Sequence, residues 1–120
     1  MYPKQIAKEA GKAALSKKAE DMVVLKVKDI TTITDYFVFL SGNSKTHIKA
    51  IAEAIEKRLK NVGIHKEEKG KGWILLDYGS CVVNIFDKET RAFYQVENLW
   101  ADAEKISLMR KVAPEKDKGD

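Results

Sequence analysis

Cysteine is nearly missing from this chain of 120 residues. Cys81 stands alone, so no disulfide can close within the chain, and a reducing, cytoplasmic setting is expected. Histidine is almost as scarce. Neither His47 nor His65 has a Cys, His or acidic partner at ligand spacing, so no metal and no cofactor is predicted. No apolar run approaches the roughly 18 residues that span a bilayer. The opening Met1-Tyr2-Pro3-Lys4 lacks the apolar core of a secretion signal, and no membrane partner is expected. Also absent is a carboxylate, one spacer and a second carboxylate on a strand, the pair with which nucleotidyl-transferring enzymes hold magnesium. Glu67 and Glu68 are adjacent and would face opposite sides of a strand, and Asp77 and Asp87 lie on separate strands.

What is present suits one folded domain. Hydrophobic residues make up 44% and charged residues 33% of the chain, enough for a core without disulfides or metal. Residues 1–104 are expected to form that single domain, and 105–120 a charged, flexible C-terminal tail. The formal net charge of +4 is unevenly spread. Residues 44–71 carry eight basic against four acidic side chains, whereas residues 72–104 carry two against six. A nucleic-acid reader puts its basic stripe across its binding face. Here the most informative segment is acidic, which points to a basic protein partner and against direct, sequence-specific nucleic-acid binding.

That segment is Gly72 to Phe86, two apolar strands around a turn marked by Gly79 and Ser80. With an even-numbered hairpin loop, one face carries Ile74, Leu76, Tyr78, Cys81, Val83 and Ile85, almost wholly apolar. The other carries Trp73, Leu75, Asp77, Val82, Asn84 and Phe86, large apolar groups mixed with an acid and an amide. The first set is expected in the core, with Cys81 an inert buried thiol. The second is expected to be a binding surface, with Tyr78 and Arg91 as secondary candidates. Trp73 is the anchor of choice, because Trp concentrates binding energy at interface centres. The plainer readings are a Trp73 in the core, an Asp77 that ties the turn backbone, and an Arg91 paired with a neighbouring acid.

Around the hairpin, residues 3–20 read as a helix begun by Pro3, with Ile6, Ala10, Ala13, Ala14 and Lys17 on one stripe. Met22 to Val27 and Tyr36 to Leu40 read as strands, the second apolar on both faces and therefore central. Asn43 or Ser44 caps a helix whose Ile48, Ile51, Ala52, Ile55, Leu59 and Val62 recur at helical spacing, with Gly63 as its stop. Ile64 to Glu68 is a polar edge strand, and Asp87 caps a short helix through Tyr94. Residues 96–103 suggest another helical turn or two, with Leu99 and Trp100 packing on the sheet. The sum is an α/β (α+β) fold with a mixed sheet of about five strands flanked by helices.

Asp35-Tyr36-Phe37-Val38, Ser41-Gly42-Asn43-Ser44 with His47 to Ala52, Gly72 to Gly79, and Arg91-Ala92-Phe93-Tyr94 with Leu99-Trp100 occur in the order in which the ribosomal silencing factor (Iojap) family has them. The resemblance runs from about residue 4 to residue 104. It implies a nucleotidyltransferase-like fold without that fold's catalytic acids. It further implies a non-enzyme that binds the fourteenth protein of the large ribosomal subunit, blocks joining of the small subunit and lowers translation when nutrients are scarce. Homodimers are a further implied state. Two positions depart from the family pattern: Ser80 stands where an acid is usual, and Asn84 where a histidine is usual. Two rival functions follow from the residues themselves. One is a nucleotide-binding enzyme using the Ser41–Ser44 turn. The other is a ribosomal RNA-binding module using the basic helix of residues 44–62.

Overall fold

A computed structural model describes residues 1–70, 72–95, 98 and 100–106. Helix α1 (Pro3–Ser16) leads into β1 (Glu20–Lys26), which pairs antiparallel with β2 (Tyr36–Gly42). Helix α2 (Lys45–Arg58) then crosses to the edge strand β3 (His65–Glu68). The hairpin β4 (Trp73–Asp77) and β5 (Cys81–Asp87) follows, then α3 (Lys88–Tyr94) and a short β6 (Glu104–Lys105). The sheet order is β3-β4-β5-β2-β1-β6. Among the described residues only β2 and β5 pair in parallel; they lie side by side at the centre, and every residue of β2 is buried. That is the burial expected of a strand covered on both faces.

The mixed sheet read from the sequence as about five strands is present, with six strands among the described residues. A charged dipeptide such as Glu104–Lys105 has no alternation to betray it. It pairs with Leu25 and Lys26, and Ile106 N–H donates to Val24 O at 2.8 Å. Both long helices stop earlier than their sequences suggest. Lys18 takes the left-handed conformation (φ 61°), and Lys18 N–H donates to Leu15 O and Ala19 N–H to Ala14 O. This pair of bonds closes α1 four residues short of Glu20, without the glycine that normally signals such a stop. Helix α2 ends at Leu59, buried against the core, and Gly63 is not among the glycines with positive φ, Gly70 and Gly79. Val96, Glu97, Leu99 and the tail from 107 onward lie outside the described residues.

The first sheet face is dry. Val38, Leu40, Leu76, Val83, Ile85 and Cys81 meet Ile6, Ala10 and Ala14 of α1 and Ile48, Ile51 and Ile55 of α2. The alanines of α1 let it lie close to the sheet, and a Cβ on Gly11 would lie 3.3 Å from Met22 Sδ. Helix α2 is capped as predicted: Ser44 Oγ accepts from His47 N–H at 3.0 Å. His47 is more than a surface residue. Its Nδ1 accepts from Asn43 N–H at 2.8 Å and its Nε2 lies 2.7 Å from Lys17 O, bracketing the end of α1 to the start of α2.

Burial pushes the Cys81 thiol up to about 12, so it is protonated and unreactive in the native state. An unfolded chain ionises this thiol near its ordinary value of 9.0, while the folded chain holds the proton. Stability is therefore complete below that pH and is lost as pH rises through the window between the two values. Burial raises Tyr78 as well, which extends the loss to higher pH. The expected result is a stability that falls with a limiting slope of about 1.4 kcal/mol per pH unit per group. Urea titrations at stepped alkaline pH measure it, and Cys81→Ala is expected to flatten the first part of the decline. A flat native profile up to pH 11 would show the thiol to be solvated.

Candidate functional site

The second sheet face divides in two. Over β1 and β2 it is covered by the chain's own C-terminal segment. The Trp100 ring lies 5.0 Å from Phe37, and Trp100 and Ala103 pack on the cluster of Leu25, Val27, Phe37, Phe39, Val82 and Phe86. Over β4 it is open. Trp73, Leu75 and Asp77 are half-buried there, alternating with the buried Ile74 and Leu76 as the pleat requires.

A two-residue turn sets this arrangement. Tyr78 N–H donates to Cys81 O at 2.9 Å, leaving Gly79 (φ 84°) and Ser80 as the loop. The register then runs Asp77 opposite Val82, Leu75 opposite Asn84 and Trp73 opposite Phe86. All six hairpin residues expected on one face do share it. Three of them, however, are not accessible: Val82, Asn84 and Phe86 are 5%, 4% and 0% exposed. They form the platform, and Trp73, Leu75 and Asp77 are the residues a partner can touch.

The platform holds Trp73 in one orientation. Its ring lies 4.9 Å from Phe86 and 5.4 Å from Tyr94, Lys69 Nζ sits 5.4 Å from its centroid, and its indole N–H donates to Asn84 Oδ1 at 3.0 Å. A rigid, half-exposed indole loses little conformational freedom on binding, which favours an anchor role. Asp77 is shared between two jobs. Its Oδ1 accepts from Gly79 N–H at 2.8 Å and so ties the turn, as the plainer reading held. Across from β4, His65 opposes Asp77 and Glu67 opposes Leu75, so these two edge residues flank the same surface.

Two further aromatics belong here that the sequence reading did not join to Trp73. Phe93 and Tyr94 of α3 are 78% and 52% exposed, and they meet edge to face at 5.1 Å. Rings therefore run unbroken from buried Phe86 through Trp73 and Tyr94 to Phe93. The only sequence signal was a pair of adjacent aromatics on a helix too short to bury both. The secondary candidates lie elsewhere. Tyr78 is buried on the helix-covered face, and Arg91 donates to Ser41 Oγ at 2.8 Å rather than joining the hairpin surface.

The Ser41–Ser44 turn is occupied by structural bonds: Ser44 caps α2, Asn43 binds His47 and Glu20, and a Cβ on Gly42 would lie 2.7 Å from Ile48 Cγ2. Among the described residues no three His, Cys, Asp or Glu side chains come together as a metal-ion site, and no helix is long and apolar enough to cross a membrane.

The family described as "Ribosomal silencing factor during starvation" matches residues 2–120. Ribosomal silencing factors of Halalkalibacterium halodurans and Bacillus subtilis are each 38% identical to the chain, over 90% and 86% of it and 96% and 91% of their own lengths. The chloroplastic Iojap protein of Zea mays is 37% identical over 81% of the chain and 44% of its own length. A crystal structure of a Chromobacterium violaceum protein superposes with a TM-score of 0.80 at 28% identity, covering 84% of this chain and 88% of that one. One from Bacillus halodurans gives 0.71 at 32% identity, covering 87% and 98%.

The Trp73–Asn84 bond yields a test of the platform. Asn84→Leu removes the indole's acceptor and is expected to cost about 1–3 kcal/mol in stability, with a changed Trp emission spectrum in the folded state. Asn84→Gln retains an acceptor and should lose less. Equal stability of all three proteins in urea would show that the bond contributes nothing.

Proposed function

The chain belongs to the ribosomal silencing factor (RsfS/Iojap) family, and on that premise we propose that it docks on the large ribosomal subunit through that subunit's fourteenth protein. Bound there, it occupies space the small subunit needs, and translation falls under nutrient limitation. The action is steric and takes place in the cytoplasm, where the subunits meet. No bond is made or broken, and the relatives' names describe silencing of ribosomes rather than a reaction.

The observation that carries this reading is the fixed, half-exposed Trp73 beside Leu75 and Asp77, extended by Tyr94 and Phe93. An apolar centre with the acid Asp77 at its rim complements a basic protein, while Glu67 at the neighbouring edge is already answered by Lys69 at 3.9 Å. Val82, Asn84 and Phe86 serve by holding the anchors in place. The same rings offer a self-complementary patch, so a homodimer through this face would compete with the ribosome.

Trp73→Ala is expected to stay folded and to lose about 2 kcal/mol or more of binding, roughly a thirtyfold weakening. The measurement is cosedimentation with purified large subunits, followed by reassociation with small subunits on a density gradient. Wild-type protein should deplete joined ribosomes and the mutant should not. Equal activity of the two proteins overturns the assignment of the face. A wild-type protein that leaves joining untouched overturns the function. Binding to protein-free ribosomal RNA with a steep salt slope would transfer the reading to α2.

A further inference from the structure

Lys69 N–H donates to Trp73 O at 2.8 Å, which carries the β3–β4 ladder one pair beyond Glu68 and Ile74. Lys69 therefore stands directly across from Trp73 on one side, as Phe86 does on the other. Residues opposite one another in a ladder point to the same face of the sheet. Glu67 is two residues back along the edge, opposite Leu75, and shares that face.

The two flanks of the indole differ in kind. Phe86 is fully buried with its ring 4.9 Å away, so that wall is fixed. On the β3 side the neighbour is a charge. Lys69 Nζ lies 5.4 Å from the centroid of the Trp73 ring and 3.9 Å from Glu67 Oε2. An aromatic face beside a carboxylate is a receptor for a cation, and here the chain's own ammonium occupies it.

That ammonium is lightly held. The Lys69 and Glu67 side chains are 38% and 51% exposed, and exposed contacts of both kinds are weak. The ladder fixes the Lys69 backbone, while its flexible four-carbon stem lets the charge swing away without disturbing the strand.

Any group that displaces Lys69 must be a better cation. An incoming lysine would exchange like for like and gain nothing. A guanidinium is planar and more weakly hydrated than an ammonium. It stacks on an aromatic face and offers a carboxylate a fork of donors at the same time. We propose that Trp73 and Glu67 form a receptor for one arginine side chain of the basic partner, and that Lys69 is the chain's own placeholder there, displaced on docking. The identity of the partner rests on the docking function above; the receptor rests on these three side chains alone.

The sign of one mutation separates a placeholder from a brace. If Lys69 merely steadied the indole, removing it would weaken binding, whereas removing a placeholder strengthens it. The full-length, ¹⁵N-labelled protein is titrated with hexa-arginine and with hexa-lysine peptides and followed at the Trp73 indole resonance. Hexa-arginine is expected to give a saturable shift and to bind more tightly than hexa-lysine. Lys69→Ser should tighten hexa-arginine binding about two- to fivefold, and Glu67→Gln should weaken it. Lys66→Ser controls for charge. It removes the same charge from the same strand, but Lys66 stands opposite Leu76 on the helix-covered face, 3.4 Å from Glu56 of α2. It should tighten binding by less than Lys69→Ser does. The same variants are then ranked by cosedimentation with large subunits. The proposal is overturned if the indole resonance does not move, if hexa-lysine binds as tightly as hexa-arginine, or if Lys69→Ser tightens binding no more than Lys66→Ser. Peptide results as expected, with no protein reaching the subunits, overturn the docking function and leave the receptor standing. Subunit binding by the wild type that Lys69→Ser does not tighten overturns the exchange and leaves the docking standing.

Discussion

The register of β4 against β5 is the constraint on which the rest depends. A two-residue turn at Gly79 and Ser80 sets Tyr78 opposite Cys81, and every later pairing in the hairpin follows. Side chains alternate with period two, so a slip of β4 by one residue against β5 would send Ile74 and Leu76 to the other face and drive Asp77 under the helices. The first face prohibits that slip, since its cluster accepts no polar side chain from β4 or β5. Asp77 reinforces the same choice by binding the turn's own Gly79 N–H. Core and candidate surface are thus specified together, by one alternation read from its two sides.

The two faces use their apolar residues differently. On the first, two helices cover the sheet and the burial is complete. On the second, the covering is improvised from α3 and the segment around Trp100, which reaches β1 and β2 but stops short of β4. Phe86 and Phe39 need that cover, whereas Trp73 receives only part of it. Half-burial gives Trp73 fixed walls on one side and a free edge on the other. An anchor needs both: the walls reduce the entropy lost on docking, and the edge supplies area still to be buried.

Much of this was legible in the sequence because it rests on local period and local capping. Tyr36–Leu40 is apolar at every position and proved to be the central strand. The hairpin faces follow from alternation, and Asp87 caps α3 by accepting from Thr90 N–H as its place before a short helix suggested. The losses share one cause, which is that a tertiary partner decides them. Lys18 ends α1 because β1 must begin, not because of its own propensity. Glu104–Lys105 is a strand only by virtue of the β1 edge beside it. Phe86 and Trp73 sit on the same face with the same alternation. That one is sealed and the other half open depends on where α3 falls, and no period in β5 records that. A cavity beside Ser41 is less legible still, since residues 21, 41, 88 and 91 come from three elements far apart in the chain.

The two departures from the family pattern now separate in kind. Asn84 looked like a change in the binding surface, but it lies 4% exposed beneath Trp73 and accepts the indole proton. A side chain in that place needs an acceptor more than a charge, and an amide supplies one without any change of state with pH. The exchange of a titratable ring for an amide is therefore a change of support, with the indole's orientation preserved. Ser80 is different. It lies in the turn, partly exposed, three residues from the hairpin's Asp77 at the acidic end of the open face. An acid missing there takes negative charge from the rim, where charge governs the rate of encounter with a basic partner more than the strength of the final complex. Under the proposed docking, then, Trp73 keeps its geometry while the rim carries less negative charge than the family resemblance implies. Under that docking, an acid at position 80 is expected to change the association rate and its dependence on salt.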